Sequence, residues 1–269
     1  MPPPPRTDPV VVEAFPFPTA AIPGIPDLMH HKYVVRDGGS VWTGSTNWTA
    51  DSWTREENVI ITADSPELAG RYLADFEQLW QTRDVARTGK VDTAPFRIGS
   101  TQARAWFCPG RGDKLAHRIA KAIGSARRRI RIASPVISSA PILATLAQVA
   151  VDGKVDLAGV VDATQVREVL RQWEENGNIS WKEPLLKTAI DRAPFTGKPS
   201  TPYGPGTVHD YMHAKVTVAD DVVFLGSFNL SHSGEENAEN VLELADAGLA
   251  DRLAAFIDGV HGRYPALTL

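Results

Sequence analysis

The chain carries one run of residues twice in the same order, and that duplication limits its fold more than any other feature. Met29-His30-His31-Lys32 is followed after four residues by Asp37, and Met212-His213-Ala214-Lys215 after four by Asp220. Gly44-Ser45-Thr46-Asn47 answers Gly226-Ser227-Phe228-Asn229. Glu57-Asn58-Val59 answers Glu239-Asn240-Val241, and Ala63-Asp64 answers Ala245-Asp246. Each run closes in a segment of helical character, Pro66 to Trp80 and Ala247 to His261. Two copies are too few for a solenoid, in which each repeat leans on stacked neighbours. They predict a duplicated domain with pseudo-two-fold symmetry.

Each copy has a readable local structure. Tyr33-Val34-Val35 and Ser40-Val41-Trp42 flank Asp37-Gly38-Gly39, a hairpin signal; Val216 to Ala219 and Val222 to Leu225 flank Asp220-Asp221. On an extended chain residues i and i+2 share a face. His30 therefore points with Lys32, His213 with Lys215, Ser45 with Asn47 and Ser227 with Asn229, so each copy offers His, Lys, Ser and Asn to one region. Ahead of the second motif, helical patterns at Lys114 to Arg128, Pro141 to Val151 and Thr164 to Asn176 alternate with strand patterns at Ile130 to Ala133 and Val155 to Val161. That alternation predicts a sheet with parallel pairs flanked by helices. Residues 194–207, rich in Pro, Gly, Ser and Thr, read as a loop.

The halves are unequal. Only 29 residues precede His30, while about a hundred βαβ-type residues precede the second motif. The leading portion of the first copy is thus expected to be missing, through a start downstream of the true one or through fragmentation. The expected division is a Pro-rich tail over residues 1–20, a first half over 21–95 and a second half over 100–269.

Composition narrows the function classes. Twenty-eight basic against 32 acidic side chains give a net charge of −4, which excludes a strongly basic nucleic-acid binder but not a local basic groove. With Cys108 as the one cysteine, an intrachain disulfide is excluded. No signal-peptide pattern opens the chain and no run approaches 18 apolar residues, so the expected compartment is the cytoplasm and no transmembrane segment is expected.

His-x-Lys-x4-Asp followed by Gly-Ser-x-Asn, present twice, resembles the signature of the phospholipase D superfamily. The resemblance covers the second half almost fully and the first from Met29 to Trp80, where the Met-His-His-Lys run is most similar to small bacterial nucleases of that superfamily. It implies an α/β fold of two mixed β-sheets flanked by helices, with one site at the pseudo-two-fold interface, so dimerisation is not required to build it. It also implies catalysis by His30, Lys32 and Asp37 with His213, Lys215 and Asp220, without metal or other cofactor. Each histidine would be oriented by a carboxylate of the opposite copy, His30 by Glu239 and His213 by Glu57. The first-copy histidine, His30, would attack phosphorus and His213 serve as the acid, an assignment that the symmetry leaves reversible. Asp37 and Asp220 fall at the hairpin bend, where alternation does not aim them at the site and a turn-fixing role is favoured.

These residues suit an anionic diester. Lys32 and Lys215 supply charge to the non-bridging oxygens, Ser45, Asn47, Ser227 and Asn229 supply neutral donors, and the two histidines divide attack and protonation. The expected function is phosphodiester hydrolysis through a phosphohistidine. A phospholipid headgroup is favoured as substrate over DNA or RNA cut by a metal-independent endonuclease, and the rival from another class is a silent phosphate-binding protein. The lysines disfavour a dication at the histidines. His31 is expected to be structural, Arg127-Arg128-Arg129 a solvated helix end, Cys108 inert, and Trp42, Trp48 and Trp53 part of the core.

Overall fold

The computed structural model describes residues 18–269, and the expected Pro-rich tail falls almost wholly outside them. The first sheet comprises β1 (Tyr33–Arg36), β2 (Ser40–Gly44) and β3 (Ile60–Asp64), all antiparallel, with a short helix α1 (Ala50–Thr54) between β2 and β3 and helix α2 (Pro66–Thr82) after them. The second half runs β4 (Phe96–Ile98), β5 (Thr101–Phe107), α3 (Gly112–Ser125), β6 (Arg129–Ala133), α4 (Ala140–Asp152), β7 (Asp156–Asp162), α5 (Ala163–Glu175), α6 (Ile179–Arg192), β8 (Phe195–Lys198), β9 (Val216–Ala219), β10 (Val222–Gly226), α7 (His232–Glu236), β11 (Asn240–Ala245) and α8 (Ala247–His261). Its eight strands lie in the order β4-β5-β11-β10-β9-β6-β7-β8, and β7 is parallel to both β6 and β8. The mixed strand directions thus belong to the second sheet.

Both hairpins turn on an aspartate in the left-handed region, Asp37 at φ 53° and Asp220 at φ 52°. A short polar side chain tolerates that backbone better than most residues. The two closing helices are capped alike. Ser65 Oγ accepts from Leu68 N–H, and an Asp246 carboxylate oxygen accepts from Leu249 N–H.

Helix α2 packs between the sheets. Leu68, Ala69 and Tyr72 meet Val41 of the first sheet and Ala103, Ala105, Phe107, Leu242 and Leu244 of the second. Helix α8 repeats this on the symmetry-related side, with Ile257 and Val260 against Val216, Val218, Val223 and Leu225, and Val59 and Ile61 reaching in from the first half. Helices α3 to α6 bury the opposite face of the second sheet around Ile119, Ile123, Ile132, Leu143 and Leu146. In the run Arg127-Arg128-Arg129 after α3, Arg127 and Arg128 are exposed; Arg128 meets Asp221 and Arg129 meets Asp251.

Two expectations need correction here. Residues 195–198, read as loop, form β8 parallel to β7, all four buried. Gly197 hides that strand from a pattern reading, yet it is needed: a Cβ there would lie 2.8 Å from Leu267 and 2.9 Å from Ala163. The tryptophans are not all core. Trp48 is 66 % and Trp53 59 % exposed, and with Trp42 and Val34 they line a groove on the outer face of the first sheet. The equivalent face of the second sheet is the one that α3 and α4 cover, where Phe224 and Leu230 are buried.

Gly44 and Gly226 hold equivalent positions where two strands touch. A Cβ would stand 2.1 Å from Val59 O at the first and 2.1 Å from Asn240 O at the second. Gly226→Ala is therefore expected to cost at least about 2 kcal/mol. Thermal unfolding should show this as a fall in Tm of roughly 4–8 °C.

Candidate active site

The two motifs meet through paired backbone bridges. Met29 bridges Ala238 and Met212 bridges Glu57, both in parallel sense. His30 N–H donates to Ala238 O at 3.0 Å and His213 N–H to Glu57 O at 3.1 Å. Each histidine is thereby laid against the loop that precedes the last strand of the opposite half.

The side chains then cross the interface. His30 Nδ1 lies 2.7 Å from Glu239 Oε1, as the resemblance implied. Glu57 does not orient His213; Asn58 does, with Oδ1 3.1 Å from His213 Nδ1. The reason is a one-residue difference between the copies. Gly44 pairs with Ile60 and Gly226 with Val241, so the residues two before each partner, Asn58 and Glu239, are equivalent. The first copy holds one more residue between Asn47 and β3, which breaks the match suggested by the shared letters Glu-Asn. Glu57 instead receives a hydrogen bond from Lys198 Nζ at 2.8 Å and another from Tyr264 OH, latching the first half to the second.

The serines are second to these groups rather than free donors. Ser45 Oγ donates to Asn58 Oδ1 at 2.7 Å and accepts Val59 N–H at 3.0 Å. Ser227 Oγ donates to Glu239 Oε2 and accepts Asn240 N–H at 3.0 Å. Their expected contact with substrate is replaced by the orientation of the histidine partners. Among the described residues Asn229 Oδ1 is buried without a partner, and Asn47 is half-exposed, so both asparagines are neutral groups open to a ligand.

Lys32 and Lys215 are buried, and each Nζ donates to the carbonyl of its own histidine at 2.6 Å. Burial pulls the Lys32 ammonium down to about 8, with Glu239 and Glu56 opposing. Lys215 is pushed well below the ordinary lysine range, by burial first and by Lys32 second. Burial also lowers both histidines. His213 falls well below the usual imidazole range, with Lys215 and Lys32 adding to burial, whereas Glu239 works against burial at His30. Among the described residues no group of three or more His, Cys, Asp or Glu is arranged to hold a metal ion, and no helix is long and apolar enough to cross a membrane.

Asp37 and Asp220, grouped with the catalytic motif by resemblance, stand at the hairpin bends instead. Asp37 is exposed. Asp220 accepts the backbone N–H groups of Arg127, Arg128 and Arg129. Burial would raise its carboxyl, but these three donors hold it below the ordinary range. His31 is structural, as expected, with Nε2 2.9 Å from buried Asp75. Cys108 is fully buried, and that burial pushes its thiol well above the usual range. Three supports had no signal in the motif. Glu56 is a buried carboxylate beside Asn58 and His213; Lys198 sits on unrecognised β8; and Asp162 accepts Met212 N–H at 3.0 Å, positioning the second motif. The closing caps offered the one clue to Asn58, since matching Ser65 with Asp246 brings Asn58 onto Glu239.

A duplicated α/β fold whose paired His-x-Lys motifs meet at the pseudo-two-fold axis defines a phospholipase D-like protein. The family model described as "Cardiolipin synthase, PLD-like domain" matches residues 11–80 and 119–260, and the chain belongs to that family. It is similar to the mitochondrial cardiolipin hydrolase of Xenopus tropicalis, 48% identical over 59 residues, or 22% of this chain and 28% of that protein. The human protein of the same name is 40% identical over 57 residues, 21% of this chain and 22% of its own length. The match thus spans about a quarter of the curated relatives. Phosphatidylserine synthase of Haemophilus influenzae shares the fold at TM-score 0.58 and 14% identity, over 87% of this chain and 61% of that one. The phospholipase D family member Nuc of Salmonella typhimurium aligns at TM-score 0.47 and 19% identity, over 63% of this chain and all of that one.

Two outcomes follow from this geometry. Lys198→Met leaves Glu57 charged and nearly enclosed, which should destabilise the chain by about 3–5 kcal/mol in urea unfolding. Turnover of an activated phosphodiester should decline as pH rises through about 8, where Lys32 loses its charge. Because burial has lowered Lys32, its charge is present below that value and lost above it, and a pH–rate profile reads the limb directly.

Proposed function

We propose that the chain is a phospholipase D-type phosphodiesterase that cleaves a phospholipid headgroup bond through a covalent phosphohistidine. The observation that carries this reading is the crossed pair: His213, buried, and His30, partly buried, each with Nδ1 held from the opposite half, beside two buried lysines. Nδ1 is occupied on both rings, so Nε2 is the nitrogen each presents to a substrate. One Nε2 displaces the leaving oxygen at phosphorus, the other protonates that oxygen and then takes a proton from the attacking water. Lys32, Lys215, Asn47 and Asn229 stabilise the charge on the non-bridging oxygens.

The lipid reading draws on two further supports. The relatives matched in sequence are named for a lipid substrate. Exposed Trp48 follows Asn47 directly, and Trp53 lies in the same segment that ends at Asn58, so apolar surface adjoins the site through the chain itself. Tryptophan suits the boundary between water and lipid.

The test is one purified preparation given cardiolipin and phosphatidylcholine vesicles in parallel with single- and double-stranded DNA and RNA. Lipid should be cleaved, with excess chelator present and little dependence on salt. His30→Ala and His213→Ala should each lower that turnover by at least roughly 10²-fold. Nicked nucleic acid with intact lipid, abolished in His30→Ala, would replace the lipid reading with the nuclease one. Undiminished turnover in both variants would remove the reading entirely.

A further inference from the structure

We propose that Tyr264, which follows the last helix, is a positioning residue for the reaction: with Lys198 it clamps the carboxylate of Glu57, and through Glu57 it fixes the chain against which His213 is laid. This rests on the phosphodiesterase reading above and adds to it a control point outside the two motifs.

The segment around Tyr264 is built to hold its side chain in place. After α8 the chain runs back along the outer edge of β8. Gly197 N–H donates to Pro265 O at 3.0 Å, Leu267 N–H donates to Phe195 O at 2.8 Å, and Thr196 bridges Ala266 in antiparallel sense. Thr196 Oγ1 also donates to His261 O at 3.1 Å, so the chain is fixed on both sides of Tyr264. The ring itself packs against the cluster of Val216, Ile257 and Val260, with Lys198 Nζ 5.8 Å from its centre.

The hydroxyl then completes a clamp. Glu57 Oε2 accepts Lys198 Nζ at 2.8 Å and Glu57 Oε1 accepts the Tyr264 hydroxyl. A carboxylate held at one oxygen can pivot about that contact, whereas donors on both oxygens fix its plane. Lys198 Nζ also donates to Arg55 O at 2.9 Å, tying the same loop two residues earlier. Burial raises the Tyr264 hydroxyl above the ordinary phenol range and its contact with the Glu57 charge raises it further, so it stays a donor at neutral pH.

What the clamp fixes is the bed of His213. Glu57 N–H donates to Tyr211 O at 3.3 Å and Glu57 O accepts His213 N–H at 3.1 Å, so the main chain of Glu57 lies along the second motif. The next residue, Asn58, sets Oδ1 3.1 Å from His213 Nδ1. Backbone and ring of His213 thus both depend on where Glu57 sits. The first motif has no such control. Since Asn58 is equivalent to Glu239, Glu57 is equivalent to Ala238, whose carbonyl receives His30 N–H but whose methyl group offers nothing to clamp. Loss of the Tyr264 hydroxyl is therefore felt at His213 and not at His30.

Tyr264→Phe keeps the ring and its packing and removes only the hydroxyl. With bis(4-nitrophenyl) phosphate, kcat should fall by roughly 10- to 100-fold while KM is unchanged, the signature of misplaced reacting groups. Imidazole nitrogen spectra, assigned with His30→Asn and His213→Asn, give the readout that a merely structural tyrosine would not move. In Tyr264→Phe the His213 ring signals should shift and those of His30 should stay. Unchanged kcat with unchanged His213 signals overturns the proposal, and so do equal changes at both rings, which mean a general loosening. A double-mutant cycle tests the route. In Glu57→Ala, removal of the Tyr264 hydroxyl should cost no further activity, and a full additional loss overturns action through Glu57. Should Glu57→Ala fail to fold, the spectra of Tyr264→Phe decide. Failure of the unaltered chain to cleave any phosphodiester would instead remove the reading beneath, and the two rings would still report whether the clamp holds His213.

Discussion

Two ammonium groups and two imidazoles share one largely buried interface, and like charges withdrawn from water oppose assembly unless opposite charge and hydrogen bonds meet them there. The structure answers from across the seam. Glu239 is delivered to His30 and Asn58 to His213 by loops of the other half, while Glu56 offsets the lysines. The loops reach the site because Met29 and Met212 each bridge the opposite copy's backbone, and because Gly44 and Gly226 let neighbouring strands close without a Cβ between them. Chemistry and cohesion are thus one arrangement: what charges the site also ties the halves together.

Much of this was readable from residues alone. Alternation over the hairpins, the aspartates at their bends and the capped closing helices follow from local backbone and side-chain preferences, and α8 has the bounds its pattern suggests. The contact of His30 with Glu239, which the superfamily resemblance implied, is present as well. Where the reading failed, letters and backbone disagreed. Glu57-Asn58 repeats Glu239-Asn240 in spelling, but the extra residue before β3 puts Asn58, not Glu57, at the equivalent place. A one-residue offset turns every side chain to the other face of an extended segment, so the error moved a carboxylate from the histidine to the Lys198 latch. The serines were misjudged because alternation tells which face a hydroxyl lies on and not which acceptor takes its hydrogen. Strand β8 and helix α6 were missed because Gly197 and Pro184 contradict the local pattern and are tolerated by tertiary packing.

The departures from symmetry are concentrated in the first half. Among the described residues no helical layer covers its outer sheet face as one covers Phe224 in the second, and tryptophans line it instead. The same segment of chain, from Asn47 to Asn58, carries both those tryptophans and the amide that distinguishes His213 from His30. One loop with one added residue thus alters the surface beside the site and the electrostatics within it.

The crossing also constrains how the molecule comes into being. His30 meets Glu239 across 209 positions of sequence, and Asn58 waits 155 positions for His213. During synthesis from the N-terminus, the first motif emerges long before the residues that neutralise and orient it. Contacts this distant in sequence are among the slowest to form, and until they do, Val41 and Tyr72 lack Phe107 and Leu242, their apolar partners in the second half, which leaves the kind of surface on which nascent chains associate wrongly. Neither half alone contains a motif histidine with its crossed partner, so the candidate site is complete only once the chain has been made as far as Glu239.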